Sequence, residues 1–252
     1  MAEHFPMREF FLSDMNQDLA LAYKIIQTDV ETLIELLHNI QDEYFQMSSA
    51  QQKLYFYNLR TAFNQSRSQA SLSALDHHAT LRVAHLVFLN RTCFNGLYRV
   101  NLKGEFNVPF GSYNNPEICD ADNLRSASKI LENAEIHAGD FTDCEHFLDP
   151  QTFIYFDPPY RPISKTASFN SYSKNRFDDD QQIRLSNFCE QVDQLGAKLM
   201  VSNSDPHNED PQDDFFQKIY AGFTIRKVTA KRAINSNGSK RGEITELLIM
   251  NY

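Results

Sequence analysis

Residues 157–160 read Asp-Pro-Pro-Tyr and follow the apolar run Phe153-Ile154-Tyr155-Phe156. A carboxylate, two rigid prolines and an aromatic ring at the end of a predicted strand are the groups needed to hold a flat, amine-bearing ring while its nitrogen is alkylated. Adenine N6 shows the difficulty of that chemistry, because its lone pair is delocalised into the ring and the nitrogen is a poor nucleophile. If the Asp157 carboxylate and the Pro158 carbonyl each accept one N6 hydrogen, the nitrogen can pyramidalise and aim its lone pair at an electrophilic methyl group. The prolines fix φ and bring no N–H to compete, and Tyr160 offers a face on which an extruded base can stack. A base inside a duplex is out of reach, so base flipping is required. Read without their surroundings, the same four residues are also an ordinary turn after a buried strand.

A second group of residues has the spacing of a reader. In Asn95-Gly96-Leu97-Tyr98-Arg99-Val100-Asn101, strand alternation puts Leu97, Arg99 and Asn101 on one face and Tyr98 and Val100 on the other. Lys103-Gly104 can turn the chain, and Glu105 to Pro109 returns. A two-stranded ribbon of this size fits the major groove, where arginine reads guanine bidentately, asparagine reads adenine and apolar groups touch the thymine methyl. Leu97, Arg99 and Pro109 are candidates for reading a mixed site; a plain surface hairpin with solvated polar residues has the same pattern. The densest basic cluster runs from Lys231-Arg232 to Lys240-Arg241, interleaved with Asn235, Ser236, Asn237 and Gly238, and reads as a phosphate-binding loop or as a solvated loop. Arg91, beside Asn90, is a further candidate phosphate contact. His77-His78 has no third ligand near it, so no metal site is expected.

These residues need a scaffold, and the chain punctuates one. Arg8 to Leu12 reads as a strand ending at Ser13-Asp14, and from Asn16 the spacing of Leu19, Tyr23, Ile26, Val30, Leu33 and Leu37 is helical. Helices are predicted over 51–65 and 71–90, and a β-ribbon over 94–116, where Gly96, Gly104, Pro109, Gly111 and Pro116 break the helical pattern. Then follow helix 122–133, strands 135–139 and 153–156, helix 179–195, strand 197–202, helix 213–220 and strands 223–230 and 244–250. Alternating β and α elements imply an α/β fold with a mostly parallel, doubly wound sheet whose strand ends carry the ligands. No internal repeats or low-complexity tracts interrupt it.

Composition sets the bounds. With 252 residues the chain can bury one α/β core with an insertion, or two small domains. No apolar run approaches the roughly 20 residues of a membrane span, and residues 1–20 lack the apolar core of a secretory signal, so a cytoplasmic protein is expected. Cys93, Cys119, Cys144 and Cys189 form no CxxC pair, which suggests neither a zinc site nor a disulfide framework. A formal charge of -9 excludes a generic polyanion binder, so any nucleic-acid contact must be a local basic patch.

Taken together, Asp157-Pro158-Pro159-Tyr160 and the segment Phe94-Asn95-Gly96-Leu97-Tyr98-Arg99-Val100-Asn101-Leu102-Lys103-Gly104-Glu105-Phe106-Asn107-Val108-Pro109-Phe110-Gly111 resemble the Dam-type family of S-adenosylmethionine-dependent DNA adenine-N6 methyltransferases, over nearly the whole chain from about Phe11 to Tyr252. The resemblance implies a Rossmann-like methyltransferase sheet, with 1–50 and 120–252 as the catalytic domain and 51–119 as an inserted helical and β-hairpin target-recognition domain. It implies Asp157, Pro158 and Tyr160 as catalytic residues, and Asp14, Asp140, Phe141 and Asp157 as contacts of S-adenosylmethionine. Asp14 suits the ribose hydroxyls and is equally placed for a helix cap. Asp140 and Phe141 are placed for the cofactor adenine, or for a plain turn. Phe94, Asn95, Leu97, Arg99, Asn101 and Pro109 would meet double-stranded DNA, with Phe94 and Asn95 entering the duplex beside the flipped base and the ribbon reading GATC. An arginine that the family carries after its Pro-Phe-Gly is Ser112 here. The family's aromatic-x-Gly-Gly-Lys segment and Pro-Phe-x-Gly-x-Gly loop do not occur, and the first of the eight glycines is Gly96. The sheet is therefore expected to lack its usual central first strand, with Met1 an internal start, a fragment's start or one part of a split enzyme needing an N-terminal segment or partner chain, and with weak cofactor binding by this chain alone. Expected activity is adenine-N6 methylation, as in a restriction-modification system; the alternative is an inactive or split fragment that at most binds DNA. Methylation of cytosine N4, RNA adenine or a protein glutamine fits less well with aspartate at 157 and with the 97–101 ribbon.

Overall fold

Polar residues set the element boundaries in the computed structural model, which describes residues 9–69, 72, 74–162, 177–231 and 243–252. Strand β1 (Phe10–Asp14) stops where the Asp14 carboxylate accepts the Asn16 N–H at 2.7 Å. Asn16 then caps helix α1 (Gln17–Thr28), its side-chain oxygen accepting the Asp18 N–H at 3.1 Å. The uninterrupted helix suggested by the apolar spacing breaks at Asp29, whose φ of -145° is not helical, and α2 (Val30–Phe45) begins after it. The buried stripe also turns relative to the expected one. Leu21 and Ile25 of α1 and Leu33 and Leu37 of α2 are in the core, whereas Tyr23 is exposed.

Helix α3 (Ser49–Gln65) opens with a reciprocal cap between Ser48 and Gln51. Helix α4 spans His77–Thr92 rather than starting near 71, because the Asp76 carboxylate accepts the Ala79 N–H at 3.0 Å and fixes the first turn there. Leu75 is left outside the helix and exposed. Helix α5 (Ala121–Leu131), capped by Asp120, leads into β2 (Ala134–Ala138), which pairs with β1 in parallel from Phe10↔Ala134 to Asp14↔Ala138. Leu21, Leu33, Leu37, Tyr44, Phe56, Phe63, Val83, Phe88 and Leu89 pack α1 to α4 around one core, which Phe106, Val108 and Ile118 complete. These elements belong to a compact unit, residues 1–140.

The ribbon expected over 94–116 forms without strands. Its antiparallel pairing is reduced to bridges at Cys93↔Phe110 and Val100↔Phe106. On the outer edge of its return arm, Asn64 of α3 accepts the Phe106 N–H at 2.8 Å and donates to the Phe106 carbonyl at 3.1 Å, and Arg60 donates to the Val108 carbonyl at 3.1 Å. Side chains therefore occupy backbone groups that a further strand would use. Gly104, at φ +76°, makes the expected turn.

The second unit, residues 141–252, has its own core. After a 3-10 segment (Phe141–Phe147) come β3 (Phe153–Phe156), α6 (Asp179–Gln194), β4 (Lys198–Ser204), α7 (Phe215–Ile219), β5 (Thr224–Lys231) and β6 (Glu243–Met250), with the sheet order β3-β4-β6-β5. Strands β3 and β4 are parallel, joined through α6, whereas β6 runs antiparallel to both β4 and β5. Among the described pairings two are parallel and two antiparallel, rather than mostly parallel; for β5 and β6, the short stretch between Lys231 and Glu243 favours antiparallel neighbours. Leu185, Phe188 and Val192 of α6 are buried with Leu199 and Val201 of β4 and Leu247 and Ile249 of β6.

Candidate active site

Asp157 leaves the carboxyl end of β3 exposed to solvent. One carboxylate oxygen accepts the Ser202 hydroxyl at 2.6 Å, and Ser202 in turn accepts from the Tyr155 hydroxyl at 3.1 Å. Among the described residues the carboxylate is oriented by a neutral donor, and it has further lone pairs with which to accept from an incoming amine. The rest of the loop hangs from the end of β4 and the first turn of α6. Gln182 donates to the Pro159 carbonyl at 3.1 Å, Asn203 accepts the Arg161 N–H at 3.0 Å, and Ser204 donates to the Arg161 carbonyl at 2.6 Å. The Arg161 guanidinium is held by Asp179 at 2.8 Å and Asp213 at 2.6 Å and lies 4.3 Å over the Phe215 ring. Tyr160 is partly exposed; burial raises its pKa above the usual phenol value, against an opposing hydrogen bond with Ser202. A neutral, half-open ring suits stacking.

In the same unit, Phe141 sits in an aromatic cluster with Phe156 and Phe188, with the Arg184 guanidinium 4.5 Å over its ring. Burial pushes the Cys144 thiol up to about 11 and the Cys189 thiol up to about 12, so neither is a thiolate nucleophile at neutral pH.

The first unit brings Asp14 and Asp140 to neighbouring strand ends. Gly139 N–H donates to the Asp14 carbonyl at 3.1 Å, which carries the β1–β2 register one step beyond the strands. Both carboxylates therefore stand at the carboxyl edge of a parallel pair, the usual place for ligands in α/β sheets. The cap role open to Asp14 or Asn16 falls to Asn16, and Asp14 remains exposed. Two carboxylates so placed fit a diol and an amine of a nucleoside, so this donor set is compatible with S-adenosylmethionine.

The segment expected to meet DNA starts at Phe94–Gly96, a 3-10 turn in which Asn95 takes the left-handed conformation (φ 57°, ψ 21°) and Phe94 is exposed. Asn90 steadies the turn by donating to the Gly96 carbonyl at 2.7 Å. Leu97, Arg99 and Pro109 are also exposed. Arg99 donates through Nε to the Asn107 side chain at 2.7 Å and through Nη2 to the Asn107 carbonyl at 3.3 Å. The Asn101 amide is spent within the turn, accepting from the Lys103 and Glu105 N–H groups and donating to the Glu105 carboxylate. Tyr98, on the other side, packs at 5.9 Å against Phe106 and donates to Asp18, which pairs with the buried Arg82 at 2.8 Å. Arg91 is exposed in the last turn of α4, and His77 and His78 are exposed in its first turn. The basic loop from Arg232 to Arg241 lies outside the described residues.

Sequence reading missed Gln182, Ser202, Asn203 and Asn107. For two of them, Ser202 and Asn203, a signal existed: the apolar Leu199-Met200-Val201 of β4 runs into Ser202-Asn203-Ser204-Asp205, a polar stretch at a strand end. Among the described residues no helix is long and apolar enough to cross a membrane.

A model of the D12 class N6 adenine-specific DNA methyltransferases matches residues 2–234. The chain is 47% identical, over all of its own length and 83% of the relative's, to the type II methyltransferase M.MjaIII of Methanocaldococcus jannaschii. It is 36% identical to the type II methyltransferase M1.LlaDCHI of Lactococcus lactis subsp. cremoris and 31% identical to the DNA adenine methylase of Salmonella typhi, in each case over 96% of this chain and 78% of the relative. The chain belongs to the D12 class of N6 adenine-specific DNA methyltransferases. It is an enzyme that transfers a methyl group from S-adenosylmethionine to N6 of adenine in DNA.

Proposed function

We propose that the enzyme methylates the adenine of GATC in double-stranded DNA, with Asp157, Pro158 and Tyr160 as its catalytic residues. The observation that carries this reading is the Asp157 carboxylate, exposed at the end of β3 and oriented by Ser202 at 2.6 Å. Asp157 and the Pro158 carbonyl would accept the two N6 hydrogens of a flipped adenine and Tyr160 would stack on its ring, which orients the amine without any covalent bond to the enzyme. Asp14, Asp140, Phe141 and Asp157 are assigned to S-adenosylmethionine, which supplies an electrophilic methyl group when bound. Phe94, Asn95, Leu97, Arg99, Asn101 and Pro109 are assigned to DNA, with Asn101 acting through the turn it closes. GATC rests on the likeness of 94–111 to the family's ribbon. In this reading 51–119 is an inserted target-recognition domain, 1–50 and 120–252 form a Rossmann-like methyltransferase domain without its usual first strand, and the enzyme works in the cytoplasm.

The test is methyl transfer to a GATC duplex and to the same duplex with the site scrambled. Asp157→Ala is expected to lower methylation by about 100-fold or more while duplex affinity stays within about twofold. Retained activity would remove Asp157 from its role, and equal methylation of the scrambled duplex would remove GATC.

A further inference from the structure

The two prolines of the catalytic loop set φ at 158 and 159, but Tyr160 keeps both of its backbone dihedrals. What fixes them is a pair of buried amides. Gln182, in the first turn of α6, donates through Nε2 to the Pro159 carbonyl at 3.1 Å. Asn203, on β4, accepts the Arg161 N–H at Oδ1 at 3.0 Å and donates through Nδ2 to Gln182 Oε1 at 3.1 Å. These three bonds close a ring that grips the peptide groups on either side of Tyr160. The Asn203 oxygen also accepts the Ser204 N–H at 2.9 Å, so its own backbone anchors the amide.

Both side chains are fully buried, at 0% exposure. Burying a primary amide is costly unless its polar atoms are bonded, and well-packed apolar residues would serve stability as well or better. A closed polar network in low dielectric instead specifies one geometry. We infer that Gln182 and Asn203 are positioning residues for methyl transfer: they lock the backbone of Tyr160 so that its ring is already placed to receive the flipped adenine against Asp157. This inference rests on the reading of Asp157–Tyr160 as the catalytic loop.

The test compares wild type with Gln182→Glu, Gln182→Met and Asn203→Asp in the full chain, using a GATC duplex and one with 2-aminopurine at the target adenine. Gln182→Glu keeps the acceptor for Asn203 but, ionised, cannot donate to Pro159. The expected result is a fall in kcat of at least about tenfold with the KM for DNA within about twofold, together with brighter 2-aminopurine emission as the flipped base loses its stacking partner. Gln182→Glu should also regain activity relative to wild type as pH falls from about 8 to 6, because a buried carboxyl titrates high and its protonated form donates again. Gln182→Met should show no such recovery. Unchanged kcat and 2-aminopurine emission in the variants would overturn the inference, as would a loss of kcat fully accounted for by a smaller folded fraction. Asp157→Ala separates the two readings. If it stays active, the catalytic assignment itself fails; if it is inactive while the Gln182 and Asn203 variants match wild type, only the clamp fails.

Discussion

Arg99, proposed above to read a guanine, is held in place by its own ribbon. Its two bonds to Asn107, at 2.7 and 3.3 Å, hold one side of the guanidinium across the ribbon. A guanidinium has more N–H groups than these bonds use, so a bidentate contact with guanine remains available, and less side-chain entropy is lost in making it. On the proposed reading, Arg99→Ala should cost about 1–3 kcal/mol of discrimination at one guanine of the site. Asn107→Ala should weaken discrimination at the same guanine by less. Methylation rates on duplexes with each base pair replaced would show it; an unchanged preference at every guanine in the Arg99 variant would sink the assignment. Asp157, Tyr160 and Arg99 could be picked out as candidates from residue type and local spacing, and the family resemblance supplied the roles proposed for them. Gln182, Ser202 and Asn203 could not, because each acts on a loop distant in sequence, and only the parallel pairing of β3 with β4 brings them to it.

Among elements, those marked at both ends by punctuation were legible: β3 as an apolar run ahead of Pro158, and α6 behind the Asp178 cap. Two kinds of signal misled. The apolar spacing continues at helical period through Asp29, so the break between α1 and α2 has no periodic signature, although aspartate ahead of Val30-Glu31 is a start signal in its own right. Upstream of α4, Leu72 and Leu75 extend the apolar pattern, yet the helix waits for Asp76, since a carboxylate accepting an early N–H outweighs two leucines that can pack or stay exposed without it. Alternation in the ribbon matches its antiparallel direction, but the pairing stays at isolated bridges, and the Asn107 carbonyl accepts from the Arg99 side chain. The cap argument makes a prediction: Asp76→Ala should lower stability by about 1 kcal/mol, and Asp76→Ser should restore most of it. Urea midpoints at constant m-value would measure this, and an alanine variant as stable as wild type would remove Asp76 as the feature that sets the start of α4.

For the molecule as a whole, charge works against acid stability. The surplus of Asp and Glu over Lys and Arg, 33 against 24, is tolerated at neutral pH partly because carboxylates in the second unit are bound. Asp205 is almost wholly buried; burial pushes its pKa up, but the Thr245 hydroxyl at 2.6 Å, the Lys227 ammonium at 2.9 Å and the His207 N–H outweigh this and leave it below the usual carboxylate value. Asp213 behaves alike, with Arg161 overcoming burial. A carboxyl whose pKa is lower folded than unfolded stabilises the fold at pH values above its unfolded pKa, about 4. That contribution fades as pH falls through the folded pKa. Acid should therefore weaken the second unit at pH below about 4, and the sheet carrying Thr245 and Lys227 should loosen together with the Arg161 anchor of the 157–161 loop. Asp205→Asn is expected to be less stable than wild type by about 1–3 kcal/mol at pH 7, the range for a buried hydrogen-bonding group left unpaired. That gap should shrink as pH drops from 5 to 3, because the wild-type carboxyl then loses its charge as well. Denaturant melts followed by circular dichroism across this range would test it; a gap that stays constant with pH would show that the Asp205 charge contributes nothing.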